Sequence, residues 1–292
     1  MPGFRSLHPF PAFLYFFCVT TLSMTLWHPT LLVVSLALLV ALVFVLEPNS
    51  FDPKTFAAIA AIALCAGGIL NPLFFHEGDH VFAEIAGVPF TWESVWYGLT
   101  LALSSVTMLF ACFAFRIVVP SDRFLYLFSA LWPRGALVAM MALRFVPLFL
   151  ARLRDIADVQ RTKGISAASG PYRARAANAM KLLRVLLVWS LEEALQTADA
   201  MKARGYGTAM RTAYAAHSMR RRDWLSVAYL GITFVVCVAL RYAGDDVMAA
   251  AAAWEPLRLS RTELFLLAAV AGHVGFPLFV EGKEWAFWRL SR

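Results

Sequence analysis

Between Thr30 and Glu47 the chain reads TLLVVSLALLVALVFVLE, with no charged side chain before its last residue. A helix rises about 1.5 Å per residue, so this run reaches roughly 27 Å, close to the ~30 Å of hydrocarbon in a bilayer. Working outward, five more apolar stretches of similar length lie near 11–27, 55–74, 96–118, 224–241 and 262–280. Six spans are therefore predicted, with Trp27, Trp96, Trp224 and Trp285 at their ends as interfacial anchors. The whole chain agrees: 60% of its 292 residues are apolar and 15% charged, with a mean hydropathy of +0.66. Soluble domains hold about 45–50% and about 25%.

Only Arg5 precedes the apolar stretch that begins near Phe13, and no small-residue cleavage site follows it, so this stretch reads as a retained helix. Cys18, Cys65, Cys112 and Cys237 sit one apiece in different apolar runs, never as C-x-x-C, and read as packed side chains.

Charge orients the spans. Residues 71–95 hold no Lys or Arg but carry Glu77, Asp79, Glu84 and Glu93, which places them outside. Residues 144–222 hold 15 of the 26 Lys and Arg against five acids, which the positive-inside rule assigns to the cytosol. One span, 96–118, connects them, so the apolar stretch 124–143, interrupted by Pro133 and Arg134, is expected to lie on the cytosolic interface as an amphipathic helix. Six spans put both termini inside. The expected architecture is an all-α polytopic membrane protein, with long cytosolic helices between spans 4 and 5. It divides into an N-terminal membrane part (1–123), an interfacial and cytosolic part (124–222) and a C-terminal membrane part (223–292).

Two long helices are expected in the cytosolic part. From Val146, the residues Phe149, Leu153, Ile156 and Val159 recur at helical spacing opposite Arg152, Arg154, Asp155, Asp158 and Arg161. That helix should end near Lys163 with Gly164 as its left-handed C′ residue. A Ser-, Ala- and Gly-rich connection, 165–171, follows it. A second helix, from about Arg175 to Arg204, should stop at Gly205. Both finish on a short residue, a cation and a glycine: Thr162-Lys163-Gly164 and Ala203-Arg204-Gly205. A C-cap alone accounts for the cation and the glycine, because the last carbonyls of a helix carry partial negative charge. A pair of such ends on one cytosolic region further suits insertion into acidic grooves of a soluble partner.

Three segments together resemble the transmembrane (T) component of energy-coupling-factor (ECF) transporters, the EcfT/CbiQ family. The first is Asn71-Pro72-Leu73-Phe74 with His76 and Gly78, continued by Phe90-Thr91-Trp92-Glu93. The second runs from Arg144 and Pro147 to Gln160-Arg161-Thr162-Lys163-Gly164. The third is Met201-Lys202-Ala203-Arg204-Gly205-Tyr206-Gly207. The resemblance implies a non-catalytic subunit of an ABC-type importer for a vitamin or transition-metal ion, in a bacterial or archaeal inner membrane. Its implied partners are two ABC ATPases and a membrane-embedded substrate-binding S component. The docking residues would be Thr162, Lys163, Gly164, Ala203, Arg204 and Gly205. Gln160, Arg161, Met201, Tyr206, Arg144 and Pro147 would support them, and Asn71, Pro72, His76 and Gly78 would form the outer motif. ATP and Mg would belong to the ATPases, with no cofactor or metal on this chain. Thr162 and Lys163 stand where the family usually has alanine and arginine, so the Arg204 contact is expected to contribute more. The last span extends beyond the compact family pattern.

Other classes have weaker support. No G-x-x-x-x-G-K-[ST] loop occurs, since Gly282-Lys283-Glu284 lacks both the upstream glycine and the hydroxyl. His76 and His80 have the spacing of metal ligands on a helix, but Gly78 disfavours that helix and no further ligand is evident. A secondary transporter would put ionisable groups or broken helices near the bilayer midplane. Gly67-Gly68 and His273 are the only such hints, and they read more simply as close helix packing for the glycines and a partner-satisfied or lumen-facing histidine. The pI near 9.5 reflects the cytosolic positive charge. Arg220-Arg221-Arg222 before Trp224 reads as a topology anchor, and nothing suggests nucleic-acid binding.

Overall fold

The computed structural model describes residues 4–26, 28–47, 53–74, 81–85, 88–165, 170–208, 219–243 and 261–290. Its helices are α1 (Pro9–Thr25), α2 (Pro29–Leu46), α3 (Pro53–Phe74), α4 (Trp92–Val118), α5 (Ser121–Leu131), α6 (Pro133–Thr162), α7 (Tyr172–Ala203), α8 (Arg221–Ala243), α9 (Arg261–Val274) and α10 (Phe276–Leu290). The all-α polytopic architecture is as expected, with one addition. Between α3 and α4 an antiparallel hairpin pairs β1 (Val81–Ile85) with β2 (Val88–Thr91). It delivers the chain to α4, whose first turn is capped by the Thr91 hydroxyl accepting the Ser94 N–H at 3.4 Å.

Proline sets several of these starts. Pro9, Pro29, Pro53 and Pro133 each open a helix, where a missing N–H costs nothing because the first amides have no internal acceptor. This corrects the reading of 124–143 as one interfacial helix and of a separate helix from Val146. The chain breaks at Trp132, and α6 then runs unbroken for 30 residues through Pro147 to Thr162. Pro133 starts a helix here where it was read as interrupting one.

Among the described residues four helices, α2, α4, α6 and α8, are long and apolar enough to cross a bilayer. Stretch 11–27 forms the 17-residue α1, and 55–74 falls within the 22-residue α3, of which Lys54–Ile69 is a shorter apolar helix. The expected span 262–280 is two helices, α9 and α10, bent by 51° at Gly275, and counts as a fifth crossing if the pair forms one span. α6 was not expected among the spans.

The chain forms two compact units, Met1–Phe124 with Ser218–Arg292, and Leu125–His217. In the first, α4 packs on α1, α2 and α3, while α8 packs on α1 and α9. Tyr15, Leu39, Leu42, Val43, Leu230 and His273 are fully buried in its core. Side chains from distant segments tie it together. The Tyr15 hydroxyl donates to the Val274 carbonyl at 2.8 Å, and Thr233 Oγ1 lies 2.7 Å from His273 Nδ1. At one end Asp223 accepts the His8 N–H at 3.3 Å and the Arg220 N–H at 2.9 Å, and Glu281 accepts the Phe4 N–H at 2.8 Å. In the second unit α6 packs on α7, and of these two helices only Ala136 and Leu182 are buried.

Candidate functional site

The ends of α6 and α7 have the same stereochemistry. Each helix leaves through a cation whose backbone is still near-helical, Lys163 (φ −90, ψ 8) and Arg204 (φ −82, ψ 5). Each then turns on a left-handed glycine, Gly164 (φ 77) and Gly205 (φ 79). At the first end the Gly164 N–H donates to the Arg161 carbonyl at 3.0 Å and the Ile165 N–H to Gln160 at 3.0 Å. At the second the Gly205 N–H donates to Lys202 at 2.9 Å and the Tyr206 N–H to Met201 at 3.0 Å. These are two Schellman motifs, which satisfy otherwise orphaned carbonyls. A side chain at either glycine would meet the left-handed penalty of about 1–2 kcal/mol.

The cap fixes the backbone and leaves the cation outside. Thr162, Lys163, Gly164, Ala203 and Arg204 are exposed, Gly205 is half-buried and Tyr206 is 57% exposed. Neither Lys163 nor Arg204 has an ion-pair partner among the described residues. Thr162 folds its hydroxyl back to donate to the Val159 carbonyl at 2.7 Å, and Thr208 does the same to Gly205 at 2.7 Å. Each end is thus a hydrogen-bonded tip with an exposed positive head at the negative pole of its helix. Gln160 and Met201 lend the carbonyls that close the caps and are half-buried; Arg161 is exposed beside Asp158. Arg144 is exposed on α6, and Pro147 lies inside that helix.

Of the outer motif, Asn71 is buried at the end of α3, where its Nδ2 donates to the Ser94 carbonyl on α4 at 2.9 Å. Pro72 belongs to the last turn of α3, while His76 and Gly78, with His80, lie outside the described residues. No cluster of three or more His, Cys, Asp or Glu side chains with metal-holding geometry occurs among the described residues. The packing reading holds for Gly67, which faces Gly98 backbone to backbone, and not for Gly68, where a β-carbon would meet nothing within 4 Å. His273 is partnered at Nδ1 by Thr233, while its buried Nε2 has no hydrogen-bond partner among the described residues.

The sequence reading missed an aromatic cluster midway along α6 and α7. Phe145 and Phe149 stack with centroids 5.5 Å apart, Phe149 meets Trp189 edge to face at 5.9 Å, and Arg152 lies 5.1 Å above the Trp189 ring. The i, i+4 spacing of the two phenylalanines was visible in the sequence. Their partner on the other helix carried no signal.

With this geometry in view, residues 5–214 match the CbiQ family, described as a cobalt transport protein. The match takes in both helix ends and stops before α8. Several proteins named energy-coupling factor transporter transmembrane protein EcfT are similar. The one from Leuconostoc gelidum subsp. gasicomitatum is 37% identical over 102 residues, 35% of this chain and 38% of its own. That from Lactobacillus helveticus is 37% identical over 106 residues, 36% of this chain and 37% of its own. The Staphylococcus aureus protein is 24% identical over 187 residues, 60% of this chain and 70% of its own. The chain thus spans well under half of the first two relatives and most of the third.

Proposed function

This chain belongs to the CbiQ family as a transmembrane (T) component of ECF transporters, and on that premise we propose that it couples two partner ATPases to a substrate-binding S component. The observation that carries the proposal is the pair of cation-and-glycine caps, alike in dihedrals and hydrogen-bond pattern, at the ends of α6 and α7. Thr162-Lys163-Gly164 enters a groove on one ATPase and Ala203-Arg204-Gly205 enters the other. The small or folded-back residue before each cation lets the groove wall approach, and the rigid cap transmits displacement without fraying. Arg204 offers a planar fork for a carboxylate, whereas Lys163 offers a point charge, so the Arg204 contact dominates.

ATP and Mg bind the ATPases. Closure of the ATPase pair shifts both tips, the motion passes through α6 and α7, and the S component reorients to release a vitamin or transition-metal ion into the cell. The complex sits in a bacterial or archaeal cell membrane. In this reading α6, although apolar and long enough to cross, lies along the cytosolic interface, and α1, α2, α3, α4, α8 and the α9–α10 pair are the six spans, so that both termini and both tips are cytosolic. The membrane parts 1–123 and 223–292 flank the coupling part 124–222.

The test is recovery of co-expressed ATPases with Arg204→Glu beside the parent chain. Reversing the charge should remove most of the ATPase from the purified complex, and Lys163→Glu should remove less. Undiminished recovery with both changes together would refute the docking assignment.

A further inference from the structure

Pro147 lies near the middle of α6 and has no N–H to donate to the carbonyl four residues back, so the helix is weakest there. Phe145 and Phe149 bracket that proline by two residues on either side and stack across it with their planes 1° apart. Trp189 of α7 meets Phe149 edge to face at 5.9 Å, and Arg152 lies over the indole ring, 5.1 Å from its centroid. Phe149 is thirteen residues before Thr162, the last residue of α6, and Trp189 is fourteen before Ala203, the last of α7. At 1.5 Å per residue the two arms beyond the cluster are about 20 Å and 21 Å long.

We infer that Phe145, Phe149, Arg152 and Trp189 form a clasp that splints α6 at Pro147 and locks it to α7, so that the two helix ends are held at one separation. The residues are positioning residues for the coupling reading of the previous section, on which the inference rests. The near-equal arms matter because a single joint equidistant from both tips turns a displacement of either one into a matched displacement of the other. A weak helix joined anywhere else would bend at Pro147 and absorb the stroke. Ordinary packing supplies no reason for a cation to close the stack. Arg152 is exposed and has its length free to reach solvent, yet it lies on the indole face, where cation–π attraction is available.

The experiment uses the chain co-purified with its ATPases, with spin labels at Asp158→Cys and Asp199→Cys. These are exposed positions four residues before the last residue of each helix. Cys18, Cys65, Cys112 and Cys237 are replaced. The measurement is the label-to-label distance distribution, with ATPase recovery recorded alongside. The parent should give one narrow distance. Trp189→Leu should broaden it, Arg152→Gln should raise the fraction outside the parent distance about two- to fivefold, and Arg152→Lys should restore the parent value. ATPase recovery should not change, because none of these residues is at a tip. An unchanged distribution in Arg152→Gln overturns the clasp, and so does Arg152→Lys behaving like Arg152→Gln. Should Trp189→Leu fail to fold, the two exposed Arg152 variants still decide. Loss of ATPase from the parent complex would instead count against the docking reading, and the distances within the chain would remain readable.

Discussion

The carbonyl oxygen of Gly67 on α3 occupies the space that a β-carbon on Gly98 of α4 would need, and the carbonyl of Gly98 does the same to Gly67. Two backbones in such close approach let Asn71, one turn further along α3, bond the first turn of α4. Gly98→Ala should force the helices apart and cost about 1–3 kcal/mol, read as a lower thermal midpoint in detergent. Gly68→Ala is the control: a β-carbon there meets nothing within 4 Å, so stability should stay level or rise.

The two cap glycines should respond alike. Gly164→Ala and Gly205→Ala each put a side chain at a left-handed residue, at a cost of about 1–2 kcal/mol confined to the helix end. Amide exchange at Ile165 and Tyr206, whose N–H groups close the caps, should accelerate by about tenfold while the rest of each helix keeps its protection. Less ATPase should be recovered with each variant, because a frayed tip docks less well.

Those caps were legible in the sequence because a C′ glycine after a cation is a local signal, readable from three residues. The course of α7 was legible for a similar reason. Two other features were not. The start of α6 hung on whether Pro133 breaks a helix or begins one, which depends on Trp132 leaving helical geometry just before it. The clasp joins Arg152 to Trp189, and no local pattern links a cation on one helix to an indole on the next. The bend at Gly275 was hidden by apolar composition that continues unbroken across it.

Asp223 holds two chain segments at once. It is 4% exposed, and its oxygens accept the backbone N–H groups of His8 and Arg220, so it both caps α8 and pins the N-terminal segment. Asp223→Ala leaves both donors unsatisfied and should cost about 1–3 kcal/mol. Limited proteolysis should show faster cleavage before α1 in the variant.

His28, in the connection between α1 and α2, gives a pH signature. Burial is the chief influence and pushes its pKa below the usual 6.5; Glu263, 3.9 Å away, raises it and Arg241 lowers it. The folded protein therefore binds the His28 proton less readily than the unfolded chain. Its contribution to stability is complete above about pH 6.5 and is lost as pH falls below that, until the folded pKa is passed. The thermal midpoint should drop between pH 7.5 and pH 5.5, and the drop should be smaller in His28→Gln.

The most direct test of coupling through the two tips is accessibility of Asp158→Cys and Asp199→Cys to a membrane-impermeant thiol reagent, with the native cysteines replaced. Both positions should be protected in intact cells and reactive in inside-out vesicles, and co-expressed ATPases should then suppress that reaction. Labelling in intact cells, or vesicle labelling that the ATPases leave unchanged, would contradict the account.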